Sequence, residues 1–141
     1  MEQELLAAIN AVRARRGLRP LRASQKLRAA AAAHSAQMAA RGYFEHSSAN
    51  GTPFWRRIER FYRSRGYRDW SVGENIASGS PGLVAHEALD EWLRSAPHRA
   101  NLFDRSWREA GIGAVFAPSA PGCFHGSPTM VVTLDFGERH R

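Results

Sequence analysis

The chain has 141 residues, 43% of them hydrophobic, and its four Trp and seven Phe can build a packed core. One globular domain spanning residues 1–141 is therefore predicted, and the composition excludes a disordered chain, a transmembrane segment and, because Cys123 is the single cysteine, an internal disulfide. The formal net charge of +7 favours acidic partners. Nearly all of this charge is arginine and no nucleic-acid-binding motif accompanies it, so we predict no specific nucleic-acid binding.

Two helices are predicted first. Apolar residues recur at helical spacing over residues 2–16, and Gly17 is a natural stop for this first helix. Ser24 is a suitable N-cap for a second, alanine-rich helix that ends near Gly42. His34 lies on the apolar stripe of the second helix, and we interpret it as a core histidine with a hydrogen-bonded ring.

A loop and a third helix follow. The loop over residues 43–51 begins with aromatic residues and closes with an Asn-Gly turn, which holds His46 on a fixed loop. A capping hydroxyl and a proline at residues 52–53 predict the start of a helix that reaches Gly66. Its inward-facing residues are predicted to be Phe54, Ile58 and Phe61. Its arginines are predicted to form a solvated face: Arg56, Arg57, Arg60, Arg63 and Arg65.

The second half of the chain predicts three strands and one long helix. Glycines bound a short extended segment over residues 73–79, and a helix is predicted over residues 83–93. Alternating apolar residues predict strands within 107–116 and 130–136. The proline-rich and glycine-rich stretch 117–128 between these strands predicts a long irregular loop with the character of a flap.

This order of elements lacks a repeated strand-helix-strand unit. It predicts an α+β fold with a small antiparallel sheet of about three strands covered by helices, rather than a parallel α/β fold. No internal repeat, linker or low-complexity segment divides the chain.

His46, Glu74 and His98 are the candidates for chemistry, because each lies in a short polar motif within apolar sequence. Two imidazoles and a carboxylate suit a divalent transition metal with open positions. They equally suit general acid–base catalysis, with one imidazole held by Glu74. They also suit structural roles, since Glu74 can bind backbone amides and His98 can cap its helix.

Several motifs follow one another in a specific order. They are Gly42-Tyr43-Phe44-Glu45-His46, Gly73-Glu74-Asn75-Ile76-Ala77, Pro97-His98-Arg99-Ala100-Asn101-Leu102 and Asp135-Phe136-Gly137. Read together, they resemble the bacterial branch of the CAP superfamily, the cysteine-rich secretory, antigen 5 and pathogenesis-related proteins, also called the SCP domain. The resemblance covers about residues 4–137.

The resemblance implies an α–β–α sandwich, in which a small antiparallel sheet lies between helical layers and a central cleft carries the site. It also implies that two His and two acidic residues in this cleft hold a divalent ion, often zinc. Carried over by motif, the metal ligands are His46, Glu74 and His98.

The second acidic residue, which in the eukaryotic branch of the family follows the helix tryptophan by three residues, falls on Ser95, so the set is incomplete in this chain. Three ligands with a water molecule can still bind zinc, but more weakly. The residues expected to contact a ligand or to support the metal ligands are Ser95, Arg99 and Asn75. For Arg99 we also expect an internal ion pair with an acid such as Glu109 or Asp135.

The leading functional hypothesis is a secreted, monomeric protein of the cell exterior or envelope. Its cleft would bind a divalent metal, zinc, and an unidentified small-molecule or envelope ligand such as a lipid, a peptide or a polymer, and the basic surface favours an anionic one. Family members are mostly secreted, so we expect a signal segment to have been removed before Met1. One alternative is a metal-assisted or His/Glu-assisted hydrolase of peptides or cell-wall material that uses His46, Glu74 and His98. Another is a structural or partner-binding protein with a relic site.

Overall fold

The computed structural model describes residues 1–141 and contains five α-helices and one sheet of four strands. The helices are α1 (Glu2–Arg15), α2 (Gln25–Arg41), α3 (Phe54–Phe61), α4 (Ala85–Arg94) and α5 (Ala96–Leu102). The strands are β1 (Arg22–Ala23), β2 (Asp69–Gly79), β3 (Glu109–Ala120) and β4 (Ser127–His140). No helix combines the length and the apolar character that crossing a membrane requires.

The strands lie in the order β1-β3-β4-β2, so β2 is an edge strand. Both β2 and β3 pair antiparallel with β4, whereas β1 pairs parallel with β3. The predicted α+β fold is confirmed, with four strands instead of about three and a mixed sheet instead of a purely antiparallel one. The additional strand has only two residues, which is too short for an alternating pattern to reveal it.

Helices cover both faces of the sheet and make the predicted sandwich. On one face, Leu5 of α1 and Trp92 of α4 belong to the largest apolar cluster, which includes Phe136 of β4. On the other face, α2 and α3 pack together through Leu27 and Ile58. The core therefore lies on both sides of the sheet.

The ends of α2 follow the prediction, whereas those of α3 do not. The Ser24 hydroxyl accepts from the amide of Leu27, and Gly42 ends the helix in the left-handed conformation (φ 72°). Pro53, and not Thr52, is the N-cap residue of α3, and the Thr52 hydroxyl donates instead to the Asn50 side chain in the preceding loop. The helix stops at residue 61 instead of reaching Gly66.

The inward face of α3 also differs from the prediction at its C-terminal end. Ile58 is fully buried as predicted, but Phe61 remains 36% exposed. Tyr62, just after the helix, is fully buried in its place. The early end of the helix breaks the helical spacing, so the next residue turns inward.

The predicted flap over residues 117–128 is wrong, because the strands extend into this stretch from both sides. β3 continues to Ala120, a 3₁₀ turn covers Gly122–Phe124, and β4 already begins at Ser127. The pairing of β3 with β4 shifts between Ala117 and Ala120, where Pro118 lies. A proline is tolerated at such an irregularity because no ladder hydrogen bond is required from it.

Candidate functional site

Glu74 and Asn75 are consecutive residues of the edge strand β2, so their side chains point to opposite faces of the sheet. Both are buried, with 4% and 0% exposure. Glu74 contacts Arg57 of α3, whereas Asn75 contacts the backbone of His98 in α5. The candidate site therefore wraps around one strand and draws on both helical layers.

Both oxygens of the Glu74 carboxylate have hydrogen-bond donors. Oε1 lies 3.0 Å from Nδ1 of His46, and Oε2 accepts from Nη2 of Arg57 at 2.5 Å. The structure thus brings together His46 and Glu74, two predicted site residues from distant motifs of the sequence. Because Nδ1 donates to the carboxylate, Nε2 of a neutral His46 ring carries the free lone pair.

Arg57 is buried, which corrects the prediction that it lies on a solvated face. Its side chain is 7% exposed, and its Nη1 donates to Oδ2 of Asp135 at 3.2 Å while Nη2 donates to Glu74. Nη2 also lies 3.4 Å from the carbonyl oxygen of His46. One guanidinium therefore holds two carboxyl groups and the loop that carries the histidine.

Two sequence signals could have identified this pair. Arg57 follows Phe54 by three residues and precedes Ile58, so helical spacing places it on the inward stripe of α3. Asp135 lies between Leu134 and Phe136, in a strand that helices cover on both faces. A charged residue at such a position needs a buried partner of opposite charge. Arg57 and Asp135 are partners of one another.

Glu74 and Asp135 are directly opposite one another in the pairing of β2 with β4. Burial alone would raise the pKa of Glu74, but hydrogen bonds from His46 and Asp135 and the charge of Arg57 lower that pKa to about 2. Burial and the negative charge of Glu74 raise the pKa of Asp135 well above its ordinary value. Glu74 is therefore the first of the two to ionise, and Asp135 keeps its proton to a higher pH.

His34 is the buried core histidine that the sequence predicted. It is 1% exposed, and its Nε2 donates to the carbonyl oxygen of Glu45 at 2.7 Å. Burial, followed by the charge of Arg57, lowers the pKa of His34. Nε2 of His34 also lies 3.9 Å from Oε1 of Glu74, so an uncharged imidazole packs beside the carboxylate.

Two asparagines fix the position of His98 on α5. Asn75 Nδ2 donates to the carbonyl oxygen of His98 at 3.0 Å. Asn101 Nδ2 lies 3.2 Å from the Glu74 carbonyl oxygen and 3.0 Å from Asn75 Oδ1. Both amides thus connect α5 to β2. The Asn75 side chain therefore positions the helix that carries His98. Asn75 was among the residues predicted to support the site, whereas Asn101 was not.

The His98 ring is partly buried, and its Nδ1 has no hydrogen-bond partner. Burial lowers the pKa of His98, and the charge of His46 lowers it further. His98 is uncharged at neutral pH.

Ser95 is the junction between α4 and α5, and its hydroxyl makes no capping hydrogen bond. The predicted ion pair of Arg99 is wrong: its Nη1 donates to the carbonyl oxygen of Leu93 at 2.9 Å. Glu109 accepts instead from the Tyr62 hydroxyl, and Asp135 accepts from the buried arginine of α3. Arg99 stays exposed because α5 turns it away from the sheet.

The predicted metal ligands are not arranged as one cluster. No group of three or more His, Cys, Asp or Glu side chains is placed to hold a metal ion. Glu74 faces Arg57 and His46 with its two oxygens, so its carboxylate is already engaged. The zinc site therefore stays a prediction.

The chain is similar in sequence to a known family and to a bacterial relative. The model of the Cysteine-rich secretory protein family, CAP, matches residues 6–135. The chain is 32% identical over 115 residues to the uncharacterized protein YkwD of Bacillus subtilis, a match that covers 81% of this chain and 42% of that protein.

Solved structures show the same fold. An extracellular protein containing a SCP domain from Bacillus anthracis is 26% identical with a TM-score of 0.74, over 99% of this chain and 40% of that chain. An outer surface protein of Borrelia burgdorferi is 21% identical with a TM-score of 0.73, over 97% of this chain and 91% of that chain. The chain thus spans about two fifths of the length of YkwD and of the B. anthracis protein.

Proposed function

Because the chain belongs to the cysteine-rich secretory protein (CAP) family, we propose that it is a binding protein of the cell exterior or envelope. Its site, around Glu74 of the edge strand β2, would bind a divalent metal ion and a lipid, peptide or envelope-polymer ligand. The location is supported by two relatives, one described as extracellular and the other as an outer surface protein. The monomeric state stays a prediction.

The observation that carries the metal proposal is the hydrogen bond between Nδ1 of His46 and the buried carboxylate of Glu74, which leaves Nε2 of His46 free to bind a metal. His98 is uncharged, and its pKa responds to the charge of His46. Neutral imidazole nitrogens are the form that zinc binds.

The engaged oxygens of Glu74 change its role within this proposal. The two imidazoles would be the protein ligands, and Glu74 would hold His46 through Nδ1 instead of binding the metal directly. Arg57 keeps Glu74 ionised and in place. A bound zinc ion would supply a positive charge and open coordination positions for an anionic or carbonyl group of the ligand.

The test uses tag-free protein stripped of metal with a chelator and titrated with zinc chloride by calorimetry. About one zinc per chain is expected, with binding lost in His46→Ala and in His98→Ala. His86→Ala is the matched control, because His86 is an exposed histidine on α4. The proposal is overturned if folded wild-type protein binds no zinc, or if both site variants bind it as the control does. Thermal unfolding of each variant confirms that the fold persists.

A hydrolase is the second candidate, favoured by one feature of the site. His46 is 44% exposed on its side chain, and its Nδ1 is held by a buried, ionised carboxylate. This is the arrangement of an imidazole general base. Turnover of casein or purified peptidoglycan that disappears in His46→Gln would support hydrolysis, whereas no turnover of either substrate would leave the binding proposal in place.

A further inference from the structure

A basic groove runs along the exposed side of α3, away from the buried Arg57. Its first cavity, of about 650 Å³, is lined by Trp55, Arg56, Glu59, Arg60, Arg63 and Arg65. A second cavity, of about 310 Å³, shares Arg60 and continues over Arg41 and the loop at residues 48–52. We call these two cavities together the α3 groove.

The arginines of the α3 groove have no acidic partners. None of the residues Arg41, Arg56, Arg60, Arg63 and Arg65 forms a salt bridge, in contrast to the two buried pairs of Arg57. The acid in the first cavity, Glu59, accepts a hydrogen bond from the Ser64 hydroxyl. Clustered guanidinium groups repel one another and raise the local positive potential, so an anion that enters the groove would be attracted.

The chemistry of these side chains selects the kind of anion. Guanidinium groups bind phosphate oxygens through paired hydrogen bonds. Trp55 is 42% exposed and presents a flat apolar surface next to Arg56, whose guanidinium carbon lies 5.5 Å from the ring centre. In a polymer of phosphates joined by short carbon-rich units, the phosphates would bind the arginines and one carbon-rich unit would pack on Trp55.

We propose that the α3 groove binds a linear phosphodiester polymer of small polyol or sugar units. The two cavities follow one another through Arg60, so they suit a chain of repeated phosphates better than a single ion. Single-stranded nucleic acids are bound on several stacking aromatic side chains, whereas this groove offers Trp55 alone. The inference does not depend on the metal proposed at His46.

The test measures binding of fluorescently labelled poly(glycerol phosphate) by anisotropy over a range of salt concentrations. The double variant Arg60→Gln/Arg63→Gln is expected to weaken binding about 10-fold or more and to reduce the salt slope by about one to two units. Trp55→Ala is expected to weaken binding by a smaller factor. The matched control is Arg15→Gln/Arg22→Gln, which removes the same charge from exposed residues of α1 and β1 without salt bridges. This control is expected to bind nearly as the wild type does.

Three results would overturn the proposal. The first is no measurable binding by the wild type, and the second is an equal loss in the double variant and its control, which would indicate attraction by net charge alone. The third is equal or tighter binding of an oligothymidylate of the same charge, which would indicate a nucleic-acid surface. His46→Ala is expected to retain polymer binding, so failure here is distinguishable from failure of the metal site.

Discussion

Arg57 and Glu74 form a buried ion pair between α3 and β2, with Nη2 and Oε2 2.5 Å apart and side-chain exposures of 7% and 0%. The arginine also reaches Asp135 and the carbonyl of His46, so one side chain links the core of the sheet to the loop of the site. Such a pair contributes little net stability when intact, but removing one partner leaves an uncompensated buried charge. The position of His46 therefore depends on Arg57, which holds both the His46 carbonyl and the carboxylate that binds the His46 ring.

Arg57→Met is expected to destabilise the fold by about 3–5 kcal/mol, because Glu74 loses its cation in the interior. Urea denaturation monitored by tryptophan fluorescence measures this change. Arg56→Met is the matched control, since Arg56 is the exposed neighbour on the same helix, and its effect is expected to stay within about 0.5 kcal/mol. Equal effects of the two substitutions would show that the buried pair is not required.

Asp135→Asn is expected to gain stability relative to the wild type as the pH rises from about 4 to 7. Because the folded pKa of Asp135 is raised, the folded state binds more protons than the unfolded state above the unfolded value of 3.8, and wild-type stability falls as pH increases through that window. Glu74 acts oppositely, since its lowered pKa of about 2 removes stability as pH falls below 4.5.

Free energies of unfolding for wild type and Asp135→Asn at pH 4 and pH 7 give this comparison. The control is Asp69→Asn, which removes an exposed carboxyl from the same sheet. Its difference from the wild type is expected to change by less than about 0.5 kcal/mol between the two pH values. A constant difference for Asp135→Asn would contradict the raised pKa.

Gly113→Ala is expected to destabilise the protein by about 1–3 kcal/mol or more, because an added Cβ would lie 2.2 Å from the backbone nitrogen of Ala32. This glycine lets α2 approach β3 closely, as the sandwich requires. Gly82→Ala is the control, since no atom lies within 4 Å of its added Cβ. Thermal melts of both variants check the prediction, and a melting temperature of Gly113→Ala equal to that of the control would contradict it.

Ser95→Glu is expected to tighten zinc binding by about 10- to 100-fold, the range associated with carboxylates that support metal-binding imidazoles. Ser95 is the N-cap residue of α5, and His98 follows it by three residues in the first turn. The substitution would place an acid at the position where the family resemblance leads us to expect one. Calorimetric titration compares it with Ser95→Gln, which has the same length without the charge. Equal affinities for the two variants would argue against a carboxylate role at this position.

Local patterns in the chain were enough to predict most of the elements and part of the site. Helical spacing and caps identified α1 and α2, alternation identified the long strands, and the ordered motifs indicated the family and its fold. His46 and Glu74 were predicted from separate motifs, and the structure places them in hydrogen-bond contact. These features depend on spacing and on short motifs, which a single chain displays directly.

Which charges are buried, and with which partners, became visible only in the folded chain. Helical spacing can place Arg57 on the inward side of α3, but it does not show which acids the arginine meets there. Arg57 meets both acids because Asp135 of β4 lies opposite Glu74 of β2 in the sheet, next to α3. A buried charge is stable only with a partner, and Asp135 lies 78 residues from Arg57 in the chain, where sequence spacing carries no information about contact.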